Sequence, residues 1–254
     1  MKTFENKICI VTGSSSGIGA AFAQALSERG AKVVLFARRA EKLDEIARVL
    51  PGESLMVVGD VTEAADRTRL IAQTLEKWGR IDVLINNAGK DDRARFLKIS
   101  ASDVDAILQT NLVAVVHLVH EVAPLMVNQK HGLIINVSSA QGYLNLPRAA
   151  IYSTSKAGLS AFSLVMHREL SPYDIQVMNF IPGYTRSEMI PESVDAKLPR
   201  FVKVAPALDA VNAALDAALR GKIHYSNADF SIRVFTWINR TLPRLSDWIA
   251  RKMW

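Results

Sequence analysis

An apolar, β-branched run, Ile8-Cys9-Ile10-Val11, breaks into Thr12-Gly13-Ser14-Ser15-Ser16-Gly17-Ile18-Gly19 and then into an alanine-rich amphipathic stretch that stops at Gly30. Few local patterns restrict a chain more. The β-branched run favours a buried strand, and three glycines within seven residues allow a tight turn that side chains would block. The helix that follows aims its free N–H groups, and the positive end of its dipole, back at the turn, which makes an anion site. Strand, glycine turn and helix in this order form the first unit of a parallel sheet with crossover helices.

The pattern then repeats. Short apolar runs at residues 7–11, 32–36, 54–58, 81–85, 132–137 and 176–181 read as strands, and amphipathic stretches at 17–29, 40–49, 63–78, 101–129, 151–170 and 206–219 read as helices. Six such units without a compositional break predict an α/β fold, a single-domain, doubly wound Rossmann-type parallel sheet with helices on both faces. Ligands bind such sheets beyond the carboxyl ends of the strands. The turns that follow the predicted strands converge there: residues 37–39, 59–61, 86–89, 138–139 and 182–183 join the glycine loop at one edge. Residues 1–229 are expected to form this body. Within it, 184–200 carries Pro191 and Pro199 and reads as a flexible connection suited to cover a substrate.

Charge and hydropathy narrow the partners. The chain carries a net charge of +6, but residues 230–254 hold Arg233, Arg240, Arg244, Arg251 and Lys252 against the single acid Asp247. The body is therefore nearly neutral, and no nucleic-acid partner is expected. No run of about eighteen residues escapes a charged or polar break, so no membrane span is expected. The first strand begins at once, leaving no room for a signal peptide's apolar core. The single cysteine, Cys9, sits in a predicted buried strand and has no partner for an internal disulfide, so a reducing, cytoplasmic compartment is the default.

Tyr152 and Lys156 stand four apart, so on the predicted helix they share one face. A free tyrosine has a pKa near about 10 and is a poor acid at neutral pH. An ammonium within about 4–6 Å lowers it by about one to three units. The pair therefore reads as a proton donor with its tuner.

Taken in order, Thr12-Gly13-x-x-x-Gly17-x-Gly19, Asn86-Asn87-Ala88-Gly89, Asn111 in a long helix, Ser139 thirteen residues before Tyr152, Tyr152-x-x-x-Lys156 and Pro182-Gly183 closely resemble the motif set of the short-chain dehydrogenase/reductase family, over roughly residues 5–220. The resemblance implies an oxidoreductase acting on carbonyl and alcohol groups with a nicotinamide cofactor. Tyr152 would give the proton in reduction, Lys156 would also hold the nicotinamide ribose, Ser139 would orient the substrate oxygen, and Asn111 would anchor a proton-relaying water. Ser138 is the near neighbour, and the thirteen-residue spacing favours Ser139. The resemblance also places Gly13, Ser15, Ser16, Gly17, Ile18 and Gly19 around a pyrophosphate, Asp60 and Val61 at the adenine, and Asn87, Ala88 and Gly89 beside the ribose. Pro182 and Gly183 would stand near the carboxamide. The family usually has a threonine four residues after that glycine. Here Ser187 stands there and Thr185 two residues after it, so either hydroxyl can serve.

The residue after the second strand sets the cofactor. An acid there would bond the adenosine ribose and repel a 2′-phosphate. Ala37 followed by Arg38 and Arg39 instead favours NADP(H), with Arg38 the preferred contact and Arg39 the second. The expected activity is NADPH-dependent reduction of a ketone or aldehyde, reversible, on a bulky or apolar small molecule. The alternatives are a non-catalytic NADP-binding sensor or scaffold, or a peripheral membrane lipid-ketone reductase anchored by the tail.

Two further readings concern surfaces. His117, His120 and Glu121 share a helical face without a third well-placed ligand, so no metal is expected. The family resemblance implies that the helices at 101–129 and 151–170 join copies of the chain into a homodimer or homotetramer. In residues 230–254, Val234, Trp237, Ile238, Leu242, Leu245, Trp248 and Ile249 recur at helical steps with Pro243 dividing them. This basic, aromatic stripe suits a membrane surface, a partner subunit or the chain's own body.

Overall fold

The computed structural model describes residues 1–91, 94–186, 188, 204–228 and 230–253. One seven-stranded, all-parallel sheet runs in the order β3-β2-β1-β4-β5-β6-β7. Its strands are β1 (Ile8–Thr12), β2 (Lys32–Ala37), β3 (Ser54–Val58), β4 (Val83–Asn86), β5 (Gly132–Val137), β6 (Ile175–Ile181) and β7 (His224–Ser226). The helices are α1 (Gly17–Glu28), α2 (Ala40–Val49), α3 (Ala64–Trp78), α4 (Ala101–Leu108), α5 (Ala114–Gln129), α6 (Gln141–Leu144), α7 (Ala150–Leu170), α8 (Ala207–Leu219), α9 (Phe230–Thr241) and α10 (Pro243–Met253).

Strand alternation sends side chains into two cores. Cys9, Val11, Val33 and Leu35 pack with α1, α2 and α8 on one face, while Ile10, Val34 and Phe36 pack with α3, α5 and α7 on the other. Both faces are covered, so the central strands are buried along their whole length and mostly apolar, with polar Thr12, Asn86 and Asn136 at or near their carboxyl ends. At the amino ends of the strands, buried Asp82 accepts bonds from the Ile8 amide at 2.8 Å and Arg80 Nε at 3.0 Å, and its Oδ1 lies 2.7 Å from His131 Nε2. This clasp ties β1, β4 and β5 at the edge away from the signature turns.

The expected elements are present with ends shifted by one or two residues, and four points differ. The edge strand β7 is too short and polar to show periodicity. The stretch expected as one helix over 101–129 contains a π-turn at Gln109–Val113, centred on Asn111. Short α6 falls between the fifth expected strand and the helix expected at 151–170, where the sequence predicts no helix. Finally, the continuous helix through Ala101–Gln129 is, by length and composition, apolar enough to cross a membrane, contrary to expectation. Its apolarity has a local cause, because Val115, Leu118, Val119, Val122 and Met126 are buried against the sheet.

The tail folds onto the body. Pro243 divides it into α9 and α10, starting the second helix where its missing N–H costs nothing. Ile232 of α9 is buried in one cluster with Ala140, Leu144 and Ile181, and Phe235, Tyr143, Leu146 and Tyr184 pack against that cluster. Asn239 Nδ2 donates to the Tyr143 carbonyl at 2.9 Å. The helix thus backs α6, just after Ser139.

Candidate active site

The glycine loop and the β4 loop are held together by their own polar groups. Thr12 Oγ1 donates to Ile85 O at 3.2 Å and accepts from the Asn87 and Ala88 amides at 3.0 and 3.2 Å. Asn87 Nδ2 donates back to the carbonyls of Thr12 and Gly13 at 3.1 and 3.2 Å. Gly13 adopts φ +64°, and a Cβ on Gly19 would stand 2.1 Å from Gly13 O, so neither position admits a side chain. Ser16 begins α1 without a side-chain cap, leaving first-turn N–H groups aimed outward.

Those groups border a cavity of about 900 Å³ beyond the carboxyl ends of the strands. Gly13, Ser15, Ser16, Gly17 and Ile18 line it from one loop, Arg38 and Arg39 from the next, Asp60 and Val61 from the third, and Asn87, Ala88 and Gly89 from the fourth. Tyr152, Lys156 and Pro182 line the other end. An uncapped helix start, glycines that admit backbone only and a long cavity fit a dinucleotide, with its pyrophosphate at α1.

At the adenosine end the two arginines differ. Arg38 is 78% exposed and, among the described residues, reaches only Asp60 Oδ2, at 3.5 Å. Arg39 is the anchored one: Nε and Nη2 donate to Ser15 Oγ at 3.3 and 3.0 Å, and Nη2 to Ser16 Oγ at 3.0 Å. Of the two arginines, Arg39 is thus the one held in place by the protein's own side chains. Asp60 Oδ1 accepts from both the amide and the hydroxyl of Thr62, at 2.9 and 2.8 Å, so half of the carboxylate shapes its own turn.

At the nicotinamide end, Lys156 is buried and its Nζ donates to Val137 O at 2.8 Å. Burial lowers its pKa to about 8, against an opposing pull from the charge of Asp91. Nζ lies 5.8 Å from the centre of the Tyr152 ring. Asn111, fully buried in the π-turn, accepts from the Lys90 amide at 2.7 Å and donates to Lys90 O at 2.8 Å and Ser155 Oγ at 3.0 Å. A Cβ on Gly89 would stand 3.3 Å from Asn111 Oδ1 and 3.8 Å from Lys156 Nζ, so glycine keeps the space between them open. π-turns commonly mark functional positions, and this one aims Asn111 at that space.

The two serines separate cleanly. Ser138 is buried, donating to Lys156 O at 3.0 Å and meeting Ser160 Oγ at 2.7 Å, which fastens β5 to α7. Ser139 is half-buried and its Oγ accepts from the Gln141 amide at 3.2 Å. Gly183 is held by its amide bond to Asn227 Oδ1 at 3.1 Å. Buried Thr185 donates to Gly183 O at 3.0 Å, so its hydroxyl braces the turn. Ser187 and most of the connection expected at 184–200 lie outside the described residues. Sequence reading missed the brace made by Thr12, the backing of α6 by α9 and the pairing of Arg39 with Glu188. Nothing local signals contacts between residues so far apart.

The short-chain dehydrogenase family model matches residues 7–198. A 3-oxoacyl-(acyl-carrier-protein) reductase of Thermotoga maritima is 35% identical over 188 residues, covering 73% of this chain and 76% of that protein. The 11-beta-hydroxysteroid dehydrogenase-like 4A protein of Arabidopsis thaliana is 34% identical over 249 residues, 94% of this chain and 82% of that one. A short-chain dehydrogenase of Streptomyces avermitilis superposes with a TM-score of 0.82 at 25% identity, covering 97% of each chain. The chain belongs to the short-chain dehydrogenase/reductase family, oxidoreductases that interconvert carbonyl and alcohol groups with a nicotinamide cofactor.

Proposed function

We propose that this enzyme is an NADPH-dependent carbonyl reductase for a bulky, apolar ketone or aldehyde. The observation that carries the reading is Tyr152 and buried Lys156 on one face of α7, at the opposite end of one cavity from Arg39 and Ser15. The cofactor, when bound, supplies the hydride. Tyr152 gives the proton to the carbonyl oxygen, Lys156 favours the ionised phenol and holds the nicotinamide ribose, Ser139 orients the oxygen and Asn111 holds the relaying water. Arg39 and Arg38 take the 2′-phosphate. Either Thr185 or Ser187 serves the carboxamide side.

Residues 1–229 form the catalytic body, with 184–200 over the substrate. Tyr143, Leu144, Leu146 and Tyr184, backed by α9, make an apolar wall near Ser139, consistent with a bulky apolar substrate. The names of the two relatives, a 3-oxoacyl reductase and a hydroxysteroid dehydrogenase-like protein, point the same way. The test is NADPH and NADH oxidation with a panel of aliphatic, acyl and polycyclic ketones. NADPH should be preferred by at least about tenfold in kcat/KM, which corresponds to about 1.4 kcal/mol. No turnover with any member favours the sensor or scaffold instead.

Two assembly readings accompany this. The α4–α5 and α7 helices, with exposed Val165 on α7, pair copies into a dimer or tetramer, which sedimentation measures. The tail contacts a lipid surface. Val234, Trp237, Leu242, Leu245 and Trp248 remain exposed after α9 docks, forming a stripe in a strongly basic segment. Flotation with anionic vesicles should be lost in a Trp237→Glu/Trp248→Glu variant, and equal flotation removes the tail from the reading.

A further inference from the structure

Arg39 joins three parts of the chain that are remote in sequence. Its Nε and Nη2 hold the glycine-loop hydroxyls of Ser15 and Ser16, while Nη1 meets Glu188 Oε2 and Oε1 at 3.0 and 3.2 Å. Glu188 follows β6 and lies between the two residues of the Thr185–Ala205 bridge, yet it lines the same cavity as Arg39, Ser15 and Ser16. A carboxylate from the chain after β6 thus sits on the cation that the glycine loop presents at the nucleotide end.

A carboxylate and a phosphate ask the same thing of a guanidinium: in-plane N–H donors to an oxyanion. If both approach Arg39, they compete for Nη1 and repel each other. We propose that Glu188 is a cofactor-discriminating residue. Its carboxylate occupies Arg39 until a 2′-phosphate displaces it, whereas a cofactor without that phosphate leaves the Arg39–Glu188 pair intact. The inference rests on the NADPH reading above and deepens it, because it names a residue that acts on phosphate recognition through Arg39. Discrimination by this route is a penalty on one ligand as well as an attraction to it.

Both side chains are about half exposed, so the pair is weak and the effect modest. Exposed ion pairs of this kind shift an equilibrium by about two- to fivefold. The test measures dissociation constants without substrate, by calorimetry, for NADPH, NADH, 2′,5′-ADP and 5′-AMP on the full-length enzyme. Glu188→Gln, which keeps the length of the side chain and removes its charge, should tighten NADPH and 2′,5′-ADP by about two- to fivefold and leave NADH and 5′-AMP unchanged. The gain should disappear in an Arg39→Ala background. A Glu188→Gln effect that is absent, or equal for phosphorylated and unphosphorylated ligands, overturns the inference while the NADPH reading stands, provided Arg39→Ala weakens NADPH. If the Arg38→Ala and Arg39→Ala variants both leave the NADPH-to-NADH ratio unchanged, the cofactor reading fails and takes this inference with it.

Discussion

Lys156 Nζ stands 5.8 Å from the centre of the Tyr152 ring, one helical turn along α7, and is held by the Val137 carbonyl at 2.8 Å. Val137 ends β5, so the sheet itself sets the position of the cation relative to the phenol. Burying an ammonium there weakens the fold when the group is charged.

Burial lowers the Lys156 pKa from 10.5 to about 8. Below pH 8 the side chain is charged in both folded and unfolded chains and the full burial cost applies. Between about 8 and 10.5 the unfolded chain binds more protons, so stability rises with pH, and above that range the cost is gone. Lys156→Met should therefore be more stable than wild type at pH 7, by on the order of 1–3 kcal/mol, with a higher melting temperature, and the gap should shrink between pH 8 and 10.5. Scanning calorimetry of the cofactor-free protein checks this, and the variant should have lost turnover.

Tyr152→Phe removes the hydroxyl and keeps the ring. NADPH should bind within about twofold of wild type, while kcat falls by about 10²–10⁴. Stopped-flow absorbance and nicotinamide fluorescence separate the two effects. Substantial remaining hydride transfer contradicts the role given to the phenol.

Asp82 predicts an acid limit. Burial pushes its carboxyl up, but the Ile8 amide, His131 and Arg80 together outweigh burial and hold it below the ordinary range. A depressed carboxyl contributes stability that is fully present above its unfolded value of about 4 and is lost as pH falls through its folded value. Asp82→Asn should cost about 1–3 kcal/mol at pH 7, and the difference from wild type should narrow below pH 4 in urea titrations.

Gly142 sits where α6 crosses α7. A Cβ there would meet the Ala157 amide nitrogen at 2.9 Å and the Lys156 carbonyl carbon at 3.0 Å, both backbone atoms that cannot turn aside. Gly142→Ala should destabilise by about 1–3 kcal/mol. It should also raise KM for the ketone more than for NADPH, because α6 follows Ser139 directly. Equal changes in both KM values would mean that α6 does not shape the substrate side.

Much of this molecule was legible because its signals are local. Alternating runs of β-branched and amphipathic residues specify a parallel sheet at any position in space, since burying both faces demands strands apolar along their length. Gly13, Gly17 and Gly19 announce the phosphate turn through their missing side chains, and the spacing of Tyr152 and Lys156 places both on one face before any fold is known. Pro243 likewise marks the break between α9 and α10.

What only the tertiary structure decided depends on contacts between distant segments. Arg38 and Arg39 are adjacent and chemically alike. Arg39 is the anchored one because the glycine loop brings Ser15 and Ser16 beside it, and Glu188 reaches it from beyond β6. Ser138 and Ser139 are neighbours too, and only the packing of β5 on α7 commits the first to Ser160 and Lys156. The tail's pattern suited three destinations equally, since an amphipathic stripe encodes an apolar surface to meet and no address for it. Ile232 and Phe235 found that surface on α6, while Trp237 and Trp248 stay more than half exposed. Sequence periodicity determined which faces must be covered, and three-dimensional packing decided by what.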